Sequence, residues 1–313
     1  VPLLNKAPGL LLLLSFALTV ISVWTSVNID WIQGGLMWLA GSILFFSLGV
    51  KQKRVILTIS LFAILSWVVA WITGETSQII KALSANQLMI VMLIGVQFLQ
   101  LVALPADEGA ESLPTGFKAF IRTYFGVHFF GSIINLSAVL LVADRLVKEA
   151  RLSMNQQKLL TRAFTSGAHW SPFFAAFAAA LVFTPDASLP IVMSAGISMA
   201  SIAFLVTLYE VKVDKSESIG KFVGYPMHFE ALWLPAILVM LVAAAHALFP
   251  ATSVLILIAM CSLGLSVFVL LWRKGGEAGT AAFINHTVNK LPQMKNELLL
   301  FLVAGVFGSG LAA

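Results

Sequence analysis

The stretch GVHFFGSIINLSAVLLVADRLVKEARLSMNQQKLLTRAFTSGAHWSPFFAAFAAALVFTP, residues 126–185, decides how the rest of the chain is read. It holds two apolar segments, each interrupted by polar or helix-disrupting residues. The first carries Gly131-Ser132 and Asn135-Leu136-Ser137, and the second carries Gly167 and His169-Trp170-Ser171-Pro172. A charged loop from Asp144 to Arg162 separates them. In hydrocarbon, irregular backbone survives only where protein or a watery cavity covers it. Two such interruptions close together are therefore the sequence pointer to a binding site between helices.

The surrounding composition supplies the membrane. Of 313 residues, 59% are hydrophobic and 11% are charged, against about 25% charged in a soluble domain. Mean hydropathy is +0.96. The net charge of +5 does not point to nucleic acid, because the basic residues fall in short loops between apolar runs, as membrane orientation requires. The single cysteine, Cys261, lies in an apolar run and excludes a disulfide framework and a thiol metal site. Val1-Pro2 is not a natural start, so an initiator or leader is expected to be missing. The closing apolar run, Leu298 to Ala313, has about 16 residues where a span needs about 20, and is expected to be cut inside a helix.

Spans are expected at Leu10–Trp24, Ile32–Val50, Val55–Thr73 and Gln87–Leu104. After the opening stretch they resume at Ser188–Tyr209, Leu232–Phe249 and Thr252–Trp272, with a final run from Glu297. Ala281–Pro292 is more polar and is expected along the surface. With a cytoplasmic N-terminus, four spans return the chain to the inside at Pro105. Lys118 and Arg122 then precede the segment 126–143, and Arg145, Lys148, Arg151, Lys158 and Arg162 follow it. Both flanks are basic, so both belong inside, and the segment enters and leaves on one side. Reading 126–143 as a full span instead places one basic flank outside.

This layout resembles the ion transporter superfamily, particularly the divalent-anion/sodium symporters. Shared features are a cytoplasmic N-terminus, four spans, a re-entrant hairpin, a broken span and a closing span, followed by an inverted repeat. The resemblance implies an all-α polytopic membrane protein divided into an extra N-terminal helix over 1–31, a first repeat over 32–218, and an incomplete second repeat over 219–313. The hairpin would occupy about 126–143 and the broken helix about 163–185. In that family a Ser-Asn-Thr motif at the hairpin tip faces an unwound helix, and together they bind sodium and carboxylate. The matching positions here are Ser132, Asn135 and Ser137 at the tip and Gly167 to Pro172 in the break, with Leu136 where the family has a polar neighbour.

The residues admit plainer readings too. Small polar side chains also pack helices and bond neighbouring carbonyls. His169-Trp170-Ser171-Pro172 also suits a proline-kinked helix whose histidine bonds an internal carbonyl. Pro172 lacks an N–H and disfavours helix at Ser171, which frees the carbonyl near Ala168, while His169 supplies a group that binds or shuttles a proton. His128 stands one helical turn from Ser132. Asn135-Leu136-Ser137 matches a glycosylation sequon, a chance match at membrane depth. No acidic residue sits mid-span, where a proton antiporter keeps its carboxylate. No Walker loop, His-Glu-x-x-His or Gly-x-Ser-x-Gly occurs.

The expectation is a secondary active transporter for a small, carboxylate-like anion, not an enzyme. It would use Na+ or H+ as coupling ion and no other cofactor. Substrate would meet Ser132, Asn135, Ser137, Gly167, His169, Ser171 and Pro172, and coupling would fall to Asn135, Ser137 and His169. Expected partners are the substrate and the lipid bilayer, not nucleic acid, with a homodimer left open. The expected location is a bacterial inner (plasma) membrane. A Na+/H+ exchanger, an integral-membrane enzyme on a lipid-linked substrate and a partner-binding scaffold are the alternatives.

Overall fold

The structure is a computed structural model that describes residues 2–25, 27–72, 82–103, 112–134, 136–184, 187–215, 217–227 and 233–312. Its helices run in chain order as α1 (Pro2–Thr25), α2 (Asp30–Phe45), α3 (Val50–Ile72), α4 (Gln87–Gln97), α5 (Gln100–Ala103), α6 (Phe117–Ile134) and α7 (Leu136–Val147). They continue as α8 (Met154–Gly167), α9 (Ala175–Phe183), α10 (Leu189–Val213), α11 (Trp233–Leu248), α12 (Val254–Lys274), α13 (Gly276–Asn289) and α14 (Lys295–Ala312). Among the described residues there is no strand, and one isolated antiparallel bridge joins Thr115 to Val223.

Among the described residues, five helical stretches are long and apolar enough to cross a membrane: Lys6–Thr25, Val50–Ile72, Leu189–Val213, Val254–Lys274 and the joined run Gly276–Leu311. Leu57, Leu61, Ile64 and Val69 on α3, with Ile191, Ile202 and Leu205 on α10, leave large apolar faces exposed. In water such faces would be a liability; against lipid tails they cost nothing. The chain is a polytopic helical membrane protein.

The helices divide into two compact units, Val1–Leu101 with Phe249–Ala313, and Val102–Leu248. This division follows packing, whereas the division at 31 and 218 expected from the sequence follows a repeat, so neither bears on the other.

In the first unit α1 packs on α2, α3 on α14 and α4 on α12. The α1–α2 contact is polar at its centre. Ser15 Oγ donates to the Gln33 carbonyl at 3.0 Å, Gln33 Nε2 to the Leu18 carbonyl at 3.2 Å, and Gln87 Nε2 on α4 to Thr19 Oγ1 at 3.2 Å. Hydrogen bonds of this kind hold helices together where water cannot compete. Trp67 Nε1 on α3 donates to the Val306 carbonyl on α14 at 3.0 Å.

Several expected runs differ in the structure. The second run stops at Phe45, and turns replace its last residues. The fourth is interrupted at Phe98-Leu99, between α4 and α5. The polar run 281–292 is not a surface segment: α13 packs on α1 and α12 and buries His286, Thr287 and Val288. Gly9 permits that approach, because a Cβ there would overlap the Thr287 carbonyl.

In the second unit α6 packs on α7 and α8, and α8 packs on α10. One core draws on Phe120, Tyr124 and Val127 of α6, Val142 and Leu146 of α7, Leu159, Leu160 and Ala163 of α8, Val211 of α10, and Phe222 and Tyr225. A strap over 219–227 fastens the starts of α6 and α8. Gly116, at φ +90°, donates its N–H to the Phe222 carbonyl at 2.8 Å. Gly224 donates to the Pro114 carbonyl at 2.8 Å, and Gln156 Nε2 donates to the Val223 carbonyl at 2.9 Å.

Candidate functional site

Helix α8 starts on a reciprocal cap. Gln156 N–H donates to Ser153 Oγ at 3.2 Å, and the Ser153 N–H returns to Gln156 Oε1 at 2.8 Å. It ends at Gly167, and α9 resumes only at Ala175. The cause is local. Pro172 brings no N–H to Ala168, four residues back, and the chain tightens instead. Trp170 and Ser171 both donate to the Gly167 carbonyl, at 3.3 and 3.0 Å. The Phe173 N–H turns to Ser171 Oγ at 3.3 Å. Among the described residues no donor reaches the carbonyls of Ala168, His169 or Trp170.

The break meets the end of α6. Ser171 Oγ donates to the Ser132 carbonyl at 2.6 Å, and both serines are fully buried. Ser132 Oγ donates back to the Phe129 carbonyl at 2.8 Å. Small residues allow the approach. A Cβ on Gly167 would stand 3.2 Å from that of Ser132, and one on Gly131 would stand 3.0 Å from the Phe164 ring. On the other side, α10 comes down onto the break at Gly196, where a Cβ would overlap the His169 carbonyl oxygen.

A second connection lies one turn before Ser132. His128 is buried, and its Nδ1 stands 3.0 Å from both the Ala163 carbonyl and Ser166 Oγ on α8. The indole N–H of Trp170 donates to His128 Nε2 at 3.0 Å. Indole only donates, so Nε2 carries no hydrogen and Nδ1 does. Beside this pair is a cleft of about 350 Å³, lined by His128, Trp170, Phe125, Phe129, Ser201 and Phe204 among others.

Of the residues expected at the site, Ser132, Gly167, Ser171 and Pro172 come together, and all four are buried. His169 lies in the break with its side chain exposed. Asn135 lies outside the described residues. Ser137 belongs to the first turn of α7, and its side chain also lies outside the description. His128 was singled out only by its spacing from Ser132 and Trp170 only as part of the break, whereas Ser166 and Gly196 were not expected as site members. The one-turn spacing of His128 from Ser132 was the available signal; nothing local pairs it with Trp170. No family model, curated protein or solved structure matches this chain.

Proposed function

We propose that this chain is a secondary active transporter of a small, carboxylate-like anion coupled to Na+ or H+, with cargo held where the end of α6 faces the break between α8 and α9. The observation that carries this reading is the Ser171 Oγ to Ser132 carbonyl bond at 2.6 Å, which ties the last turn of α6 to the break between α8 and α9. Around that joint α8 ends and α9 begins, and the reading has α6 end and α7 begin there as well. Helix C-terminal ends present carbonyls to a cation, and N-terminal ends present N–H groups to an anion. Buried small residues and unpaired carbonyls of the break supply the rest.

The reading takes α6–α7 as a re-entrant hairpin with its tip near Asn135. Chain geometry supports a reversal there. Leu146 follows Phe120 by 26 positions, which a straight helix would convert to about 39 Å. Yet the two side chains belong to one core. The strap that ties the start of α8 to the start of α6 favours the same reversal. Both basic flanks would then lie on the cytoplasmic side.

Uptake of labelled carboxylates into proteoliposomes, with and without a sodium or proton gradient, tests the function. Cation-dependent uptake is expected; absence of flux under either gradient would overturn it. A flux of Na+ against H+ with no anion requirement would favour an exchanger instead.

A further inference from the structure

The geometry points to His128 as the residue that takes up a coupling proton, with Trp170 as the group that the proton releases. The coupling role rests on the transporter reading above; the proton-sensitive clasp does not.

His128 stands on α6 and bonds both the end of α8 and the break that follows it. Nδ1–H reaches the Ala163 carbonyl and Ser166 Oγ on α8, and Nε2 accepts from Trp170 in the break. The one vacant proton position on the ring is Nε2, and its lone pair is occupied by the Trp170 N–H. A proton arriving there forms an N–H bond and leaves two donors facing each other at 3.0 Å. The Trp170 bond must then be lost, whereas the Nδ1–H bonds strengthen because the ring is charged. Trp170 leaves as the lid on the cleft that it lines with Phe125, Phe129 and Phe204, and the Gly167–Ser171 turn keeps only its Ser171 bond to α6. Proton binding and the shape of the break are thereby one equilibrium.

The neighbourhood suits a ring that changes charge in place. Tyr124 stacks on it from one turn away on α6, at 6.4 Å between centroids. His169 is the ionisable group on the break. On α8 and α10, Arg162 and Glu210 bond each other at 3.1 Å, with Lys158 at 3.7 Å from the same carboxylate. α7 carries Asp144 and Arg145 near its far end, with Arg145 bonded at 2.9 Å to Glu149 just past that end, and α11 carries His246 near its own end. Among the described residues no carboxylate bonds the His128 ring, so no fixed anion holds it charged.

The test combines nitrogen-15 NMR of labelled histidine and tryptophan side chains with proton-driven uptake in proteoliposomes. His128→Gln keeps an acceptor for Trp170 and a donor for Ala163 but cannot take the proton, and its missing signal assigns the ring. On stepwise acidification from about pH 8 to well below the ordinary imidazole value of about 6.5, wild-type His128 should pass from the Nδ1–H form to the doubly protonated form. The Trp170 indole signal, assigned with Trp170→Phe, should move in the same step. In His128→Gln that indole signal should stay fixed, and uptake driven by a pH gradient should fall roughly tenfold or more. Trp170→Phe removes the bond to the neutral ring and should shift His128 protonation to higher pH. An Nε2–H form at alkaline pH, or an indole signal indifferent to His128, would overturn the clasp. Undiminished proton-driven uptake in His128→Gln would overturn the coupling role while leaving the clasp. No wild-type flux at all would overturn the transporter reading and the coupling role together, with the ring signals still deciding the clasp.

Discussion

At the scale of single residues, the joint rests on a few buried contacts, each removable. Ser171→Ala deletes the bond to the Ser132 carbonyl and leaves that carbonyl unpaired in an apolar site. Interhelical bonds of this kind contribute about 0.6–2 kcal/mol. Thermal unfolding in detergent should show a loss of about 1 kcal/mol, and uptake should fall with it. Gly196→Ala is the harsher change, since its Cβ would overlap the His169 carbonyl, a backbone atom that cannot step aside without moving the break. Overpacking of that kind costs about 1–3 kcal/mol or more. Gly264→Ala, with open space around it, should be neutral or stabilising by up to about 1 kcal/mol, and is the control. Equal thermal stability of the two glycine variants would contradict the close packing of α10 on the break. The serines, Gly167 and Pro172 were legible in the sequence because glycine and proline punctuate locally. The His128–Trp170 bond was not, because it joins side chains 42 positions apart and exists only once α6 lies along α8.

At the scale of elements, Pro172 is the hinge pin of the broken helix. Pro172→Ala restores the missing N–H and removes a ring that costs about 3 kcal/mol inside a helix. Helix α8 should lengthen toward α9, with unfolding temperature unchanged or raised and uptake lowered. Retained uptake with a stabilised helix would show that the interruption is not needed for transport. Element positions were largely legible, since long apolar runs between charged loops can only be spans. The interruption at Phe98-Leu99 and the packing of α13 were hidden for opposite reasons. No glycine or proline marks the interruption. Helix α13 reads as polar because Asn285 and Asn289 face outward, while His286, Thr287 and Val288 turn inward.

At the scale of the whole molecule, charge and lipid exposure set the frame. Five candidate spans among the described residues and the exposed apolar faces of α3 and α10 place the chain in a bilayer. Orientation follows from Lys and Arg alone, a bias that becomes informative where two basic flanks border one apolar segment. The central claim is that the segment around Asn135 turns back inside the bilayer. In a Cys261→Ser background, Lys118→Cys and Lys148→Cys should be modified by a membrane-impermeant maleimide from one and the same side of sealed vesicles, the side that also exposes Lys53→Cys. Modification of the two positions from opposite sides would contradict the account.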